Sequence, residues 1–419
     1  MKPYLLSTYD LSGGAARAAF RLHQALVTQG LDSRMRVSVK KSDDWRIDAP
    51  EGKVAKAVEL IKPSISSALM RLQRTANTVI HSPAFLPSGL DRTINRSDAD
   101  VVNIHWIWGG MISIREIGRI RKPVVLTLHD MWAFCGAEHY VNDDAHARFR
   151  SGYKRGNRLK SDGLLDLDRW VWKRKTRAWR NPMTIVCPSH WMADCVRSSK
   201  LMSNWPVHVV PNPLATSIFK PCEKRCCRQV LGLPLDVPLI LFGAIGGRRD
   251  PRKGFDLLMD ALGSLYSSGV FPESHCLVLG QSPPQEQPDI GYPVHWLGSL
   301  HDDWSLALVY SAADVVVVPS IQENLSNVVM ESLACGTPVV GFDVGGNVDM
   351  IEHLRTGYLA RPFESDDLSK GIQWVLTASN YAELSQNARD KVVREFDSKV
   401  VGEKYSRIYR EAIENEGNR

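Results

Sequence analysis

The stretch between residues 314 and 346 constrains the fold more than any other part of the chain. An apolar run, Asp314–Pro319, leads into a loop with Glu323, a short helical segment, a second apolar run, Thr337–Phe342, and the pair Gly345–Gly346. Continuous apolar runs are typical of strands buried on both faces of a parallel sheet, and the order strand–helix–strand predicts a βαβ unit. Ligands of such sheets bind outside the carboxyl ends of the strands. We therefore expect Glu323 and the two glycines at a functional edge.

Two carboxylates in this stretch, Glu323 and Glu331, are eight positions apart. On one helix they would be separated by roughly 12 Å along the axis and by about 80° around it, so they could not face one point. The sequence therefore predicts Glu323 in the loop and Glu331 on the helix. Two separated acceptors suit an elongated polyhydroxylated ligand, with a sugar at one end and a ribose at the other; solvated surface charge is the alternative. The helix N-terminus at Asn324, Leu325 and Ser326 offers backbone N–H groups to phosphate.

A second polar segment, Gly243–Gly254, follows the apolar run Leu239–Phe242 and contains Lys253. Glycines let the backbone approach a diphosphate, and cationic side chains neutralise its charge. The segment is not a dinucleotide fingerprint, because it lacks the G-x-G-x-x-G order. It is not a P-loop either, because no G-K-[S/T] follows. It predicts a phosphate site, with a basic surface turn as the alternative.

Together these segments resemble the E-x7-E and Arg-x4-Lys-Gly motifs of retaining glycosyltransferases of the GT-B fold, family 4 (glycosyl transferases group 1). The resemblance implies that Arg248 and Lys253 hold the phosphates of a nucleotide-sugar donor and that Glu323 takes part in catalysis. It further implies that the loop with Gly298 and Leu300 lies against the nucleobase, although a simple strand end explains those residues equally well.

In the first half, the loop with Gly13 and Gly14 precedes an amphipathic helix, as the family's glycine-rich N-terminal loop does. Its backbone N–H groups can approach the donor phosphates, and a turn required only by geometry is the alternative. His129 ends an apolar run and matches the family's strand-end histidine, which lies close to the transferred sugar.

Three further residues are candidates for the acceptor side of the site, namely Asp130, Glu138 and His139. Related enzymes often contain a Gly-Cys-His-Tyr segment at this point, whereas this chain reads Gly-Ala-Glu-His-Tyr over 136–140. Without the cysteine, no metal or disulfide role is expected there.

The chain is long enough for two domains, since 419 residues exceed what a single core usually holds. Apolar runs alternate with helical patterns in both halves, which predicts an α/β fold. The resemblance specifies it as GT-B, with two doubly wound Rossmann-like domains facing a cleft. We place the acceptor-side domain at 1–205 and the nucleotide-sugar domain at 206–397, with a helix at about 398–419 packing back onto the first domain.

Residues 148–180 are strongly basic, with twelve Lys or Arg against three acids, and three tryptophans interleave with the cations over 164–180. Such a helix suits an anionic membrane surface, and a solvated helix with tryptophan docked in the core is the alternative. Residues 53–74 are a second basic, partly apolar segment, predicted to form a pair of helices. Nucleic-acid binding is not expected, because no recognised module accompanies the charge.

No apolar run reaches the length of a membrane span, the N-terminus is too short and polar for a signal peptide, and the cysteines are scattered. These features predict reduced thiols and a cytoplasmic location, with peripheral docking on the inner face of the cytoplasmic membrane left open.

The predicted activity is transfer of a hexose from a nucleoside diphosphate sugar to a glycan or lipid-linked saccharide with retention of configuration, in bacterial surface or exopolysaccharide synthesis. No cofactor and no metal are expected: Asp166 and Asp168 have D-x-D spacing but lie in the basic helix. A GT-B sugar-nucleotide epimerase and a non-catalytic nucleotide-sugar-binding protein are the alternatives.

Overall fold

The computed structural model describes residues 1–159, 161–243, 250–285 and 290–417. The chain forms two compact units. The first contains Met1–Pro213 and Val401–Arg419, and the second contains Leu214–Val400. Each unit has one sheet, and every strand pair in both sheets is parallel.

The first unit has a seven-stranded sheet in the order β3-β2-β1-β4-β5-β6-β7. Its strands are β1 (Pro3–Tyr9), β2 (Arg34–Val39), β3 (Ile47–Asp48), β4 (Val101–Ile104), β5 (Val124–Thr127), β6 (Thr184–Cys187) and β7 (Val207–Val209). Its helices are α1 (Gly14–Thr28), α2 (Lys53–Met70), α3 (Leu90–Arg96), α4 (Ile114–Ile117), α5 (Arg148–Ser151), α6 (Leu167–Ala178), α7 (His190–Ser198) and most of α15 (Ser398–Gly417).

Helices cover both faces of this sheet, because successive strand residues contribute to different cores. Leu5 and Val125 pack in one cluster with the apolar residues of α1 and α15. Leu6 and Leu126, the next residues along the same strands, pack in the cluster on the other face. Burial on both faces explains why these strands read as continuous apolar runs.

Helix α15 returns from the second unit and completes the first. Tyr405 and Tyr409 are buried in the same cluster as Leu5. The Asn103 side-chain amide donates to the Tyr409 hydroxyl at 2.7 Å, and the hydroxyls of Thr127 and Tyr405 lie 3.3 Å apart. The last helix therefore satisfies polar groups of β4 and β5 inside the core.

The second unit has a six-stranded sheet in the order β10-β9-β8-β11-β12-β13. Its strands are β8 (Leu239–Gly243), β9 (His275–Leu279), β10 (Val294–Trp296), β11 (Val315–Val318), β12 (Val339–Phe342) and β13 (Gly357–Ala360). Its helices are α8 (Lys224–Leu231), α9 (Phe255–Ser267), α10 (Asp303–Ala312), α11 (Asn327–Ala334), α12 (Asn347–Met350), α13 (Ser365–Leu376) and α14 (Tyr381–Glu395).

The strand order of each sheet reverses at one point. In the first sheet the reversal lies between β1 and β4, and in the second it lies between β8 and β11. Open parallel sheets bind ligands in the crevice beside the carboxyl ends of the strands at such a point. The loops that follow these four strands are therefore the expected binding loops of the two units.

The predicted α/β class and the two doubly wound sheets are confirmed. The first unit extends to Pro213 rather than to 205, because β7 hydrogen-bonds to β6 and completes the first sheet. The second unit extends to Val400 rather than to 397.

Lys53–Met70 form one helix, α2, with Pro63 inside it, rather than the helix pair predicted over 53–74. In the described part of the chain, no helix combines the length and apolarity needed to cross a bilayer.

Helix α6 presents only part of the predicted tryptophan-and-cation surface: Trp170 is 37 % exposed, with the Arg174 guanidinium 4.6 Å from its ring centre. Its contact with a membrane stays a prediction. Trp179, the C-cap of α6, is buried and donates through Nε1 to the Ile114 carbonyl at 3.0 Å. Lys175 is fully buried, with Nζ bonded to the carbonyls of Trp132, Cys135 and Gly136 and placed 3.8 Å from the centre of the Trp132 ring. One side of α6 therefore inserts into the core, where Lys175 holds the loop after β5.

Burial lowers the pKa of Lys175 to about 7. Three carbonyl acceptors match the three protons of an ammonium group, so this side chain has a large structural role. Replacing Lys175 by Met should lower the free energy of unfolding by about 2–4 kcal/mol, because the buried carbonyls lose their donor. The change would be measured as a lower midpoint in urea unfolding.

Lys173 on the same helix is only half-buried, and Lys173→Met is the matched control. Its effect should stay within about 0.5 kcal/mol, as for most surface substitutions. Equal midpoints for the two variants would contradict the role assigned to Lys175.

Candidate functional site

The loops after β8 and β11 are in backbone contact at the carboxyl edge of the second sheet. The Ile321 amide donates to the Arg252 carbonyl at 2.8 Å. Gly254 has a φ of 61°, and a Cβ added there would lie 2.0 Å from the Pro319 carbonyl oxygen. Only glycine fits this position, because any other residue would clash with backbone and adopt a strained conformation. The two loops are thereby held side by side at the point where the strand order reverses.

The loop after β12 joins them. The Gly346 amide donates to the Glu323 carbonyl at 3.0 Å. A Cβ on Gly345, which has a φ of 54°, would lie 2.1 Å from that same oxygen. The Gly-Gly pair therefore fixes the backbone of Glu323, which lies in a loop as the sequence predicts.

The side chains of Lys253 and Glu323 meet in this arrangement. Lys253 Nζ lies 2.7 Å from Glu323 Oε2, and the Ser320 hydroxyl lies 3.3 Å from the same oxygen. The lysine side chain is 40 % exposed and the glutamate 12 %, so the ammonium remains accessible while the carboxylate is largely covered. Arg248, the predicted partner of Lys253, lies outside the described residues.

Helix α11 carries Glu331 one turn after its first residue, and the carboxylate is buried. The Tyr310 hydroxyl of α10 donates to Glu331 Oε2 at 2.9 Å. The preceding Asn324, Leu325 and Ser326 are also buried. The structure thus places the predicted donor-binding residues together beside Glu323, and their contacts with ribose and phosphate stay predictions.

Gly298 and Leu300 follow β10 on the same side of the sheet. The Gly280 amide, just after β9, donates to the Gly298 carbonyl at 2.7 Å. Leu300 is half-buried and packs against the core cluster that contains Leu325. The predicted nucleobase loop therefore lies at the carboxyl edge of the sheet, beside the end of β9.

In the first unit, Gly13 and Gly14 begin α1 after β1. Gly13 has a φ of 90°, both glycines are exposed, and a Cβ on Gly13 would meet nothing within 4 Å. Asp10 fixes the preceding loop, since its carboxylate accepts from the backbone amides of Leu11, Lys41 and Ser42. The glycine backbone is open, as a phosphate site would require.

Two imidazoles meet at the ends of β4 and β5. His105 Nδ1 lies 3.0 Å from His129 Nε2, and the rings stack with centroids 5.3 Å apart. Burial lowers the pKa of His129 to about 4 despite the opposing charge of Asp130. Burial, together with the neighbouring His129, also lowers the pKa of His105 well below its usual range. Both rings are therefore neutral near pH 7, and His129 is half-buried at the edge where a sugar is expected.

Asp130 and His139 are internal residues rather than acceptor contacts. Both are buried, with His139 Nδ1 2.6 Å from Asp130 Oδ2 and His139 Nε2 2.6 Å from the Ser82 hydroxyl. Asp130 also accepts from Trp106 Nε1 and from the Trp132 amide, both at 2.9 Å. Burial raises the pKa of Asp130, but His139 and the other donors keep the net shift downward. This network fixes the loop that begins at His129.

Glu138 is buried as well, and it faces the Tyr153 hydroxyl at 3.1 Å. Burial, reinforced by the charge of Asp168, raises the pKa of Glu138 to about 8. Glu138 is therefore a protonated, buried carboxyl group held by Tyr153, and its acceptor role stays a prediction.

Sequence reasoning missed two residues that position the candidate site, Ser82 and Tyr310. Each bonds to a predicted site residue far along the chain, His139 and Glu331 respectively. No local pattern marks a single hydroxyl as the partner of a distant charged group, so only the fold reveals them.

The pKa of His129 gives a test of the imidazole pair. Nitrogen-detected titration, assigned by the signal lost in His129→Asn, should show a midpoint near 4. The unfolded chain binds a proton at His129 below its usual pKa of about 6.5 while the folded chain stays neutral. This residue's contribution to stability therefore decreases as the pH falls from about 6.5 to 4. A midpoint near 6.5 would mean that the ring is solvated rather than held against His105.

Comparisons with known proteins match both units. The model described as "Glycosyltransferase Family 4" matches residues 12–217, and the model described as "Glycosyl transferases group 1" matches residues 239–378. D-inositol 3-phosphate glycosyltransferase from Acidothermus cellulolyticus is 31 % identical over 336 residues, which cover 75 % of this chain and 67 % of that protein. With other curated relatives the match spans about half of the relative's length.

Solved structures show the same fold. Sucrose-phosphate synthase from Thermosynechococcus elongatus superposes with a TM-score of 0.66 at 19 % identity, covering 98 % of both chains. HepE from Anabaena, solved in complex with UDP and glucose, superposes with a TM-score of 0.63 at 16 % identity, covering 97 % of this chain and 99 % of the other. With two parallel sheets of this order and family matches across both of them, the chain belongs to the group 1 (family 4) glycosyltransferases of the GT-B fold.

Proposed function

We propose that this protein transfers a hexose from a nucleoside diphosphate sugar to a hydroxyl group of a glycan or a lipid-linked saccharide. The transfer retains the anomeric configuration and uses no metal ion or other cofactor. The observation that carries the proposal is the Lys253–Glu323 pair, with 2.7 Å between ammonium and carboxylate, at the strand-order reversal of the second sheet.

A cation and a carboxylate side by side suit the two ends of one sugar–phosphate bond. The ammonium of Lys253 is accessible and can neutralise a diphosphate, while Glu323 can accept hydrogen bonds from sugar hydroxyls. An ammonium group has three protons, so Lys253 can bind a diphosphate while it remains beside Glu323.

Departure of the diphosphate is the step that these residues assist. Charge develops on the leaving phosphate as the glycosidic bond breaks, and a preorganised ammonium stabilises that charge. We assign this role to Lys253, together with Arg248 and the backbone amides that precede α11. The leaving diphosphate accepts the proton of the acceptor hydroxyl, and neutral His129 binds a hydroxyl of the transferred sugar.

The acceptor belongs to bacterial surface or exopolysaccharide synthesis in this proposal, and the protein works at the inner face of the cytoplasmic membrane. A lipid-linked acceptor would place the reaction at that surface. The uncovered basic and apolar helix α2 of the first unit is consistent with such a location.

The proposal is tested first by thermal shift of the purified protein against a panel of UDP-, GDP- and ADP-sugars. The stabilising donor is then incubated with and without candidate saccharide acceptors, and its products are separated. Release of nucleoside diphosphate that depends on acceptor supports transfer. Isomerisation of the donor without acceptor would identify an epimerase, and binding without turnover would identify a binding protein.

Lys253→Ala should lower turnover by about 10²–10³-fold, the usual loss when one preorganised charge donor is removed. Arg252→Ala is the matched control, since its guanidinium pairs with Asp250 at 2.7 Å and the bond from Ile321 uses only its backbone. Initial rates with saturating donor measure both. Wild-type rates in a folded Lys253→Ala protein would remove the lysine from the mechanism.

Substitution of Glu331 should change nucleotide affinity, whereas substitution of Glu323 should change the rate of transfer. Glu331→Gln should weaken binding of the free nucleoside diphosphate, because the ribose hydroxyls lose a charged acceptor whose hydrogen bonds contribute about 1.5–3 kcal/mol. Glu323→Gln should instead impair transfer and leave that affinity nearly unchanged. Isothermal calorimetry with the nucleotide, combined with rate measurements, distinguishes the variants. Equal losses of affinity in both would refute this division.

A further inference from the structure

Helix α2 has an apolar stripe that faces away from its own unit. Val54, Val58, Ile61 and Ile65 are 79, 47, 55 and 45 % exposed. At about 100° per residue these positions lie within roughly 40° of one line along the helix. Leu72, just after the helix, continues the line and is 64 % exposed. The stripe is about 27 Å long at 1.5 Å per residue.

The inward face of α2 is polar, which inverts the usual arrangement of a surface helix. Lys62 and Ser66 are its buried residues. Lys62 Nζ lies 2.5 Å from Glu59 Oε1, and the Ser38 hydroxyl donates to Glu59 Oε2 at 2.9 Å. The helix can lie close to the unit because Gly110 has no side chain: a Cβ there would be 3.3 Å from Lys62. Met70 packs against the core at the end of α2, but the apolar residues of the stripe are exposed while polar side chains take the covered face.

The polar residues beside the stripe are mostly basic. Exposed Lys53 and Arg71 lie about 100° to one side of the stripe, whereas exposed Lys56 lies on the opposite side of the helix and exposed Arg74 follows its end. The one acidic residue within α2, Glu59, points inward to Ser38 and Lys62. Exposed Glu51, before the helix, is the nearest opposing charge in sequence.

A second segment extends the apolar surface at the C-terminal end of α2. The Gly163 amide donates to the Arg74 carbonyl at 3.0 Å, and the Ala76 amide donates to Asp162 Oδ1 at 3.2 Å. These bonds place the exposed side chains of Leu164 and Leu165 next to this end of the helix. We call the stripe from Val54 to Leu72, with these two leucines, the α2 patch.

We propose that the α2 patch is a docking surface for an anionic lipid bilayer, on which α2 lies parallel to the membrane plane. Apolar stripes of this size mark interaction sites. An apolar face bordered by Lys and Arg suits the boundary between acyl chains and anionic headgroups, since the cations reach phosphate while the stripe enters the apolar layer. The inference concerns the first unit alone and does not depend on the proposed reaction.

Vesicle co-sedimentation of the full-length protein tests the proposal without donor or acceptor. The wild type should sediment with phosphatidylglycerol vesicles, less at high salt and less with phosphatidylcholine alone. Ile61→Gln combined with Ile65→Gln should lower the partition coefficient on the order of 20-fold, because two partly inserted side chains become polar. Leu60→Gln is the matched control: Leu60 is 71 % exposed but lies off the stripe, and its variant should bind within about twofold of the wild type.

Three results would overturn the proposal. The wild type could remain in the supernatant with phosphatidylglycerol vesicles at low salt. The double variant could sediment as well as the wild type, which would assign binding to charges elsewhere. Sedimentation velocity could instead show a concentration-dependent dimer that the double variant loses, with no vesicle binding, which would make the α2 patch a protein interface. Circular dichroism confirms that the variants are folded.

Discussion

The donor half of the candidate site depends on backbone contacts that only glycine permits. Gly254 lies against the Pro319 carbonyl and Gly345 against the Glu323 carbonyl, each at a positive φ and each too close for a Cβ atom. Together with the backbone bonds of Ile321 to Arg252 and of Gly346 to Glu323, these contacts hold the loops after β8, β11 and β12 together and bring Lys253 beside Glu323. The charged pair is thus a consequence of main-chain packing, and the side chains need little further support.

Much of the second unit could be predicted from the sequence, because its central strands and the loop with Glu323 are marked by patterns of neighbouring residues. Apolar runs gave the central strands, and the position of Glu323 after such a run predicted a loop at the carboxyl edge, where the structure has it. Edge strands such as β13 were not predicted, since Gly357–Ala360 is short and only partly buried. Glu331 was placed on its helix, but its bond to Tyr310 joins residues of two helices and leaves no local pattern.

The first unit was less predictable, because its polar residues pair over long distances. Asp130, Glu138 and His139 look like binding residues in sequence, yet the fold buries them in a network with Ser82, Trp106 and Tyr153. The composition of α6 did not predict which of its basic and aromatic side chains are buried. Lys175 and Trp179 insert into the core. The sequence shows that a residue is cationic but not what surrounds it. In the fold, three carbonyl oxygens replace water as the hydrogen-bond acceptors of Lys175.

The return of α15 to the first unit bears on how the protein is made. Domains generally fold as units during synthesis, with the N-terminal one first. Here the first unit contains Val401–Arg419, and the hydroxyls of Tyr405 and Tyr409 meet Thr127 and Asn103 inside its core. Until α15 has been synthesised, this sheet has an apolar face and buried polar groups without their partners. The first unit to emerge is therefore completed only after the second unit has been synthesised.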